Sequence, residues 1–332
     1  MPNLPESFKL LKDVGHQEIL FAFERVPESS RLFVGSSGGK VYEIDPLAEK
    51  PTFREIGSHA SYVTGVAVLG DVVVSAGYEG KLIWRNTADG AEIRAVDAHT
   101  KWIRKLVVSP DRKRLATVAD DMRCRIWNAA TGEQVAELLG HEAVTPNHFP
   151  SMLYTAAFSP DGKSLATADR VGRIVLWNLA DGAKRQTIEA PGFYTWDAKQ
   201  RIHSIGGIRA LAFSPDSQQI AAGGIGHIGN IDHLEGPARL EIFSATDGAK
   251  QHEFLGDAKG LVESIAWQAN GDWLVGCGGD NGGLVQIYDL ETKKIVRTEK
   301  APMHVHSAAL DETGTRLFAV GHGKIAVWEL KS

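Results

Sequence analysis

One short pattern recurs seven times along the 332 residues and limits the fold more than any other feature. The copies are RLFVGSSGGKVYEID from Arg31, DVVVSAGYEGKLIWRN from Asp71, KRLATVADDMRCRIWN from Lys113, KSLATADRVGRIVLWN from Lys163, QQIAAGG with ARLEIFS from Gln218, DWLVGCGGDNGGLVQIYD from Asp272, and TRLFAVGHGKIAVWEL from Thr315. Each reads as a short apolar strand, a turn rich in Gly and Asp, and a second strand closing on a large apolar residue. The closing residues are Ile44, Trp84, Trp127, Trp177, Phe243, Tyr288 and Trp328, spaced by 40, 43, 50, 66, 45 and 40 residues. Most of these pairs follow another strand that ends in a turn such as SPDR, SPDG or SPDS, where Pro and Asp preset a tight reversal. After the closing residue comes a turn such as NAATG, NLADG or SATDG and then a fourth strand. Four antiparallel strands per unit, repeated seven times, predict an all-β fold: a seven-bladed β-propeller of four-stranded antiparallel blades forming a single domain over residues 1–332.

A ring of blades must close, because an open sheet edge invites aggregation. The last unit stops soon after Trp328, with no outer strand, whereas SFKLLKDV, just before His16, has the form of an outer strand without a blade. The N-terminal strand is therefore expected to complete the last blade.

The chain resembles the WD-repeat family over nearly its whole length. The resemblance rests on Gly15-His16, Gly140-His141, the related His59 and His99, and the Trp-Asn endings Trp127-Asn128 and Trp177-Asn178. It implies a buried network in which a histidine ahead of the first strand meets an aspartate after the second and the tryptophan of the third. His99, Asp121 and Trp127 match that network. Tyr78, Val171, Gly282 and His322 stand where the aspartate is expected in other units, so those blades are expected to hold by apolar packing alone.

Three connections exceed the repeat length: about 142–152, 190–206 and 224–238. Two precede a first strand and one joins a second strand to a third, so strand alternation puts all three on one face, the top. Repeat folds concentrate insertions on the face that binds, which makes these loops a candidate partner surface; the alternative is a lid packed over the channel mouth. Within them, Tyr194 and Trp196 are candidate aromatic anchors. His203, His227, Asp232 and His233 carry metal-competent groups, but their spacing fits no compact metal site, so no metal or cofactor is expected. His233 is kept as a candidate partner contact.

Aligning first strands on their ends places Thr64, Arg104, Tyr154, Arg209, Glu263 and His306 at one equivalent position, with Tyr62, Trp102, Met152, Gly207, Leu261 and His304 two residues earlier. Because the first strand is innermost in the resembled family, these positions fall on the rim of the channel. Tyr62, Trp102, Arg104, Tyr154, Arg209, Glu263 and His306 are the candidate partner-binding residues there.

A formal charge of -5 and no Lys/Arg-rich run remove the electrostatic footprint of a nucleic-acid binder. No 18-residue apolar run occurs, and the N-terminal segment lacks the basic and apolar regions of a secretory signal, which leads to the expectation of a cytoplasmic chain without a membrane partner. Cys124 and Cys277 both lie in apolar strand patterns and read as buried thiols. No G-x-S-x-G elbow, phosphate-binding glycine loop or H-E-x-x-H motif is present. The expected function is a non-catalytic, monomeric scaffold for a protein or peptide partner. The alternative is a small-ligand or enzymatic propeller using the His- and Asp-bearing loops and the rim arginines.

Overall fold

The computed structural model describes residues 4–198, 203–229 and 235–331. It is an all-β propeller of four-stranded antiparallel blades. The first strands, Val63–Leu69, Ile103–Val108, Leu153–Phe158, Ile208–Phe213, Leu261–Trp267 and Val305–Leu310, lie side by side with the end of the long strand Ser7–Arg25 in a closed ring. The remaining strands of each blade run outward from that ring.

This arrangement explains the composition of each strand. A second strand is covered by the neighbouring blade on both sides, so Ser164–Asp169 and Trp273–Gly279 are buried at every residue and rich in small side chains. An outermost strand such as Glu92–Asp97 is covered on one side only and is largely polar. Near the axis the blades approach closely: a Cβ on Gly65 would lie 2.4 Å from the Cβ of Leu106 in the next blade. Apolar clusters between blades, such as Trp84 with Ile103, Leu115 and Trp127, form the core. Cys124 and Cys277 are buried free thiols, and burial raises both pKa values.

The sheet count departs from the expected seven separate sheets. Among the described residues five sheets have four strands, one has six, in the order Val305–Leu310, Arg316–Lys331, Ser7–Arg25, Leu32–Ser36, Lys40–Ile44, Arg54–Ser58, and a two-stranded sheet, Tyr194–Asp197 with His203–Gly206, lies in an enlarged loop outside the blades. The cause is a continuous backbone: Ser7–Arg25 runs through His16 without a break, pairing from Ser7 to Ile19 with Lys331 to His322 and from Leu20 to Arg25 with Ser36 to Leu32. Phe8 packs against the cluster that holds Trp328 and Leu330, whereas Leu10 is 44% exposed.

Candidate functional site at the channel mouth

The six aligned rim residues come together. Thr64, Arg104, Tyr154, Arg209, Glu263 and His306 line one cavity of about 200 Å³, together with Phe21, Tyr78 and Lys105. Thr64, Lys105 and Glu263 also border the larger channel space below, about 600 Å³. Phe21 is the rim residue of the first unit. It stands four residues before Arg25, the strand end that pairs with Leu32, so continuing the alignment into ILFAFER would have found it. Tyr78 and Lys105 carried no such signal.

Arg104 is held firmly. Its Nε and Nη2 donate to the two carboxylate oxygens of Asp120 at 2.8 and 2.6 Å, and Nη1 donates to the Tyr78 hydroxyl at 2.9 Å. The guanidinium also lies over the rings of Tyr78 and Trp102, 5.2 and 5.1 Å from their centroids. Arg209 is placed differently: its guanidinium sits 3.7 Å from the centroid of Tyr154, its Nε is buried without a hydrogen bond, and no carboxylate among the described residues pairs with it. Around one side of the mouth the rings of Trp102, Tyr78, Tyr62, Phe21 and His306 follow one another at 4.6, 5.5, 5.4 and 5.1 Å.

On the other side Glu263 accepts from His306 Nδ1 at 2.7 Å and lies 3.3 Å from His304 Nε2. Burial alone would raise the Glu263 pKa, but the two histidines outweigh it and hold the carboxyl well below the usual range. Burial likewise pushes the Lys105 ammonium down, against the pull of Glu263 and Glu24. His322 stacks on His304, its ring centroid 5.0 Å away.

The enlarged loops touch one another. Tyr194 donates through its hydroxyl to Asn147 at 2.7 Å, and the ring of Trp196 meets that of Phe149 at 5.6 Å. Ile228 N donates to Thr195 Oγ1 at 3.1 Å. Phe193 is buried and Tyr194 and Trp196 are half-buried, so these aromatics are engaged within the loop layer. His227 is exposed, whereas Asp232 and His233 lie outside the described residues, as does the side chain of His203.

The buried relay extends beyond the expected unit. His99 Nδ1 meets both Asp121 oxygens at 3.1 Å, its Nε2 meets Thr117 Oγ1 at 2.7 Å, and Trp127 Nε1 donates to the same hydroxyl at 2.9 Å. The fourth unit repeats this in full with His141, Asp169, Thr167 and Trp177, at 2.8, 2.8 and 2.9 Å. The second has a partial version in which His59 meets Glu79 and Ser75, while Trp84 Nε1 donates to the Ala129 carbonyl. The expectation that these two units rely on apolar packing alone is therefore corrected. Their acids stand two residues before Val171 and one after Tyr78, off the position where the aspartate was sought.

A model of the family described as "WD domain, G-beta repeat" matches residues 90–128, 199–227 and 248–289. The nuclear distribution protein PAC1-2 of Uncinocarpus reesii is 28% identical over 200 residues, which cover 53% of this chain and 40% of that protein. The nuclear distribution protein nudF of Aspergillus niger is 28% identical over 102 residues, covering 30% of this chain and 23% of that protein. The nuclear distribution protein PAC1 of Arthroderma otae is 26% identical over 198 residues, covering 53% and 41%. The chain thus spans less than half the length of these relatives. No helix among the described residues is long and apolar enough to cross a membrane. The blades and the histidine–hydroxyl–tryptophan relay stand beside these matches, and the chain carries WD repeats in the three matched regions.

Proposed function

We propose that the chain is a non-catalytic scaffold that seats a protein or peptide partner on its channel mouth and the adjoining enlarged loops. We also propose that the six-stranded sheet serves as two blades, making seven. Its pairing supports this division: residues 317–321 pair with Val305–Leu310 and residues 324–331 with 7–15, while 20–25 pair with Leu32–Ser36. Gly323, at φ +67°, marks the change within the long C-terminal strand.

The observation that carries the partner reading is the aromatic arc. Tyr62 is 44% and Trp102 50% exposed, yet both rings rest against Tyr78, Trp102 stacked on it and Tyr62 tilted to it. Rigid, exposed aromatics flanked by arginine have the composition of interface hot spots, and ordering them costs a partner little entropy. The Arg209 guanidinium, stacked but without a carboxylate among the described residues, is suited to an acidic or carbonyl group of that partner. The relatives, named as nuclear distribution proteins, agree with a scaffold role at the level of the family.

The test uses the full chain as bait, identifies the retained protein and then measures its binding in purified form to Trp102→Ala and Tyr62→Ala. Loss of an anchor is expected to cost about 2 kcal/mol, roughly a thirtyfold loss of affinity, with an unchanged melting temperature. Undiminished binding by both variants overturns the proposed surface.

A further inference from the structure

The contacts of His304 are chemically incomplete. Its Nδ1 lies 2.8 Å from the carbonyl oxygen of Asp280 and must carry the proton, because a carbonyl only accepts. In the neutral ring Nε2 is then a lone pair, and it faces a Glu263 carboxylate oxygen 3.3 Å away. Two acceptors facing each other need a cation between them. On its neighbour His306, Nδ1 lies 2.7 Å from the second Glu263 oxygen, while Nε2 is buried and has no partner.

We propose that Glu263, His304 and His306 bind one divalent transition-metal ion, zinc being the ion their chemistry fits best. Their ligand atoms all lie within 4.8 Å of one another, and among the described residues they are the one such group. Two imidazoles and a carboxylate form a known zinc donor set, which leaves the fourth position for water or a ligand. Bonds of about 2.0–2.1 Å in a tetrahedral site place neighbouring ligand atoms about 3.3 Å apart, and the His304–Glu263 separation of 3.3 Å has that length. The closer His306 contact opens by a small ring rotation. The Asp280 carbonyl fixes the His304 tautomer from behind, as the outer contacts of metal-bound histidines do. His322, its ring 4.9 Å from that of His306, adds another imidazole beside the group.

The sequence reading expected no metal because it weighed only the loop histidines. This group instead joins two histidines two positions apart, which face the same way on an extended segment, to a glutamate of the adjacent inner strand. The site stands independently of the partner reading.

A proton answers the same facing acceptors as an imidazolium, and the experiment separates the two. The full chain, without added histidines and stripped with a chelator, is titrated with zinc chloride by calorimetry and with cobalt chloride by visible absorption. One equivalent per chain is expected, with the intense visible bands of four-coordinate cobalt. His306→Gln and Glu263→Gln should each weaken zinc binding about 100-fold, while His227→Gln binds as the wild type does. Melting curves without metal check that the variants fold. Lack of saturable binding by the wild type in the micromolar range, or equal binding by both site variants, overturns the site. The wild-type titration decides the matter even if a variant fails to fold.

Discussion

Replacing Thr167 by valine removes one oxygen from the centre of the fourth unit and keeps the shape of the side chain. The hydroxyl is fully buried and serves two partners, His141 Nε2 at 2.8 Å and Trp177 Nε1 at 2.9 Å. The side chain of His141 is 1% exposed and Trp177 is 3% exposed, so neither stranded nitrogen can turn to water. Each unpaired buried group costs about 1–3 kcal/mol, which puts Thr167→Val at about 2–6 kcal/mol. Thr117→Val in the third unit should cost the same, because Thr117 serves His99 and Trp127 in the same way. Ser75→Ala is the internal comparison: only His59 loses a partner, since Trp84 donates to Ala129 instead, and the cost should be about 1–3 kcal/mol. Urea titrations with a common m-value give the three differences. If both valine variants stay within about 0.5 kcal/mol of the exposed control Thr246→Val, or cost no more than Ser75→Ala, the shared hydroxyl does not hold the blades as argued.

The relay should also give an acid limb. Burial alone would raise the Asp121 pKa, but the hydrogen bond and charge of His99, with the amides of Thr100 and Arg123, outweigh it and lower it. A depressed carboxyl stabilises the fold above its unfolded value of about 3.9, and that contribution is lost as pH falls through the lower folded value. Melting temperature should therefore fall more steeply below about pH 4 in the wild type than in Asp121→Asn, and parallel curves would count against the assignment. At the closure, Phe8→Ala removes a half-buried ring packed beside Trp328 and Leu330 and should cost about 1–2 kcal/mol with some loss of monodispersity. Leu10→Ala, at an exposed position two residues further along the same strand, should stay within about 0.5 kcal/mol, and equal effects would refute the packing of Phe8 at the closure.

The rim was legible because a strand has a fixed period. Once the ends of the first strands were aligned, Arg104, Tyr154, Arg209, Glu263 and His306 had to fall at one height around the axis, and they line one cavity. Phe21 escaped because the first unit has no turn ahead of its inner strand, the backbone running on from Ser7 to Arg25. The acids of the relay were misplaced for a related reason. Asp169 is the last residue of its strand, whereas Asp121 lies in the turn that follows, so a rule written on turn position finds one and misses the other. A histidine fixes only where its ring nitrogen needs an acceptor, and a carboxylate from the strand end or from the turn can supply it.

Loop contents follow a different logic. Tyr194 and Trp196 read as anchors from their type, but Asn147 and Phe149, supplied by another insertion, engage them. Nothing in either segment alone states that the two meet. Tyr62 and Trp102, which precede strands of fixed register, instead remain exposed at the mouth, each with its ring against Tyr78. Periodic positions thus reveal where a side chain stands, while inserted ones depend on contacts made only after the ring has closed. A surface that must be presented reliably is better built from the former, and for that reason the proposed partner site is sought first on the rim and only second on the loops beside it.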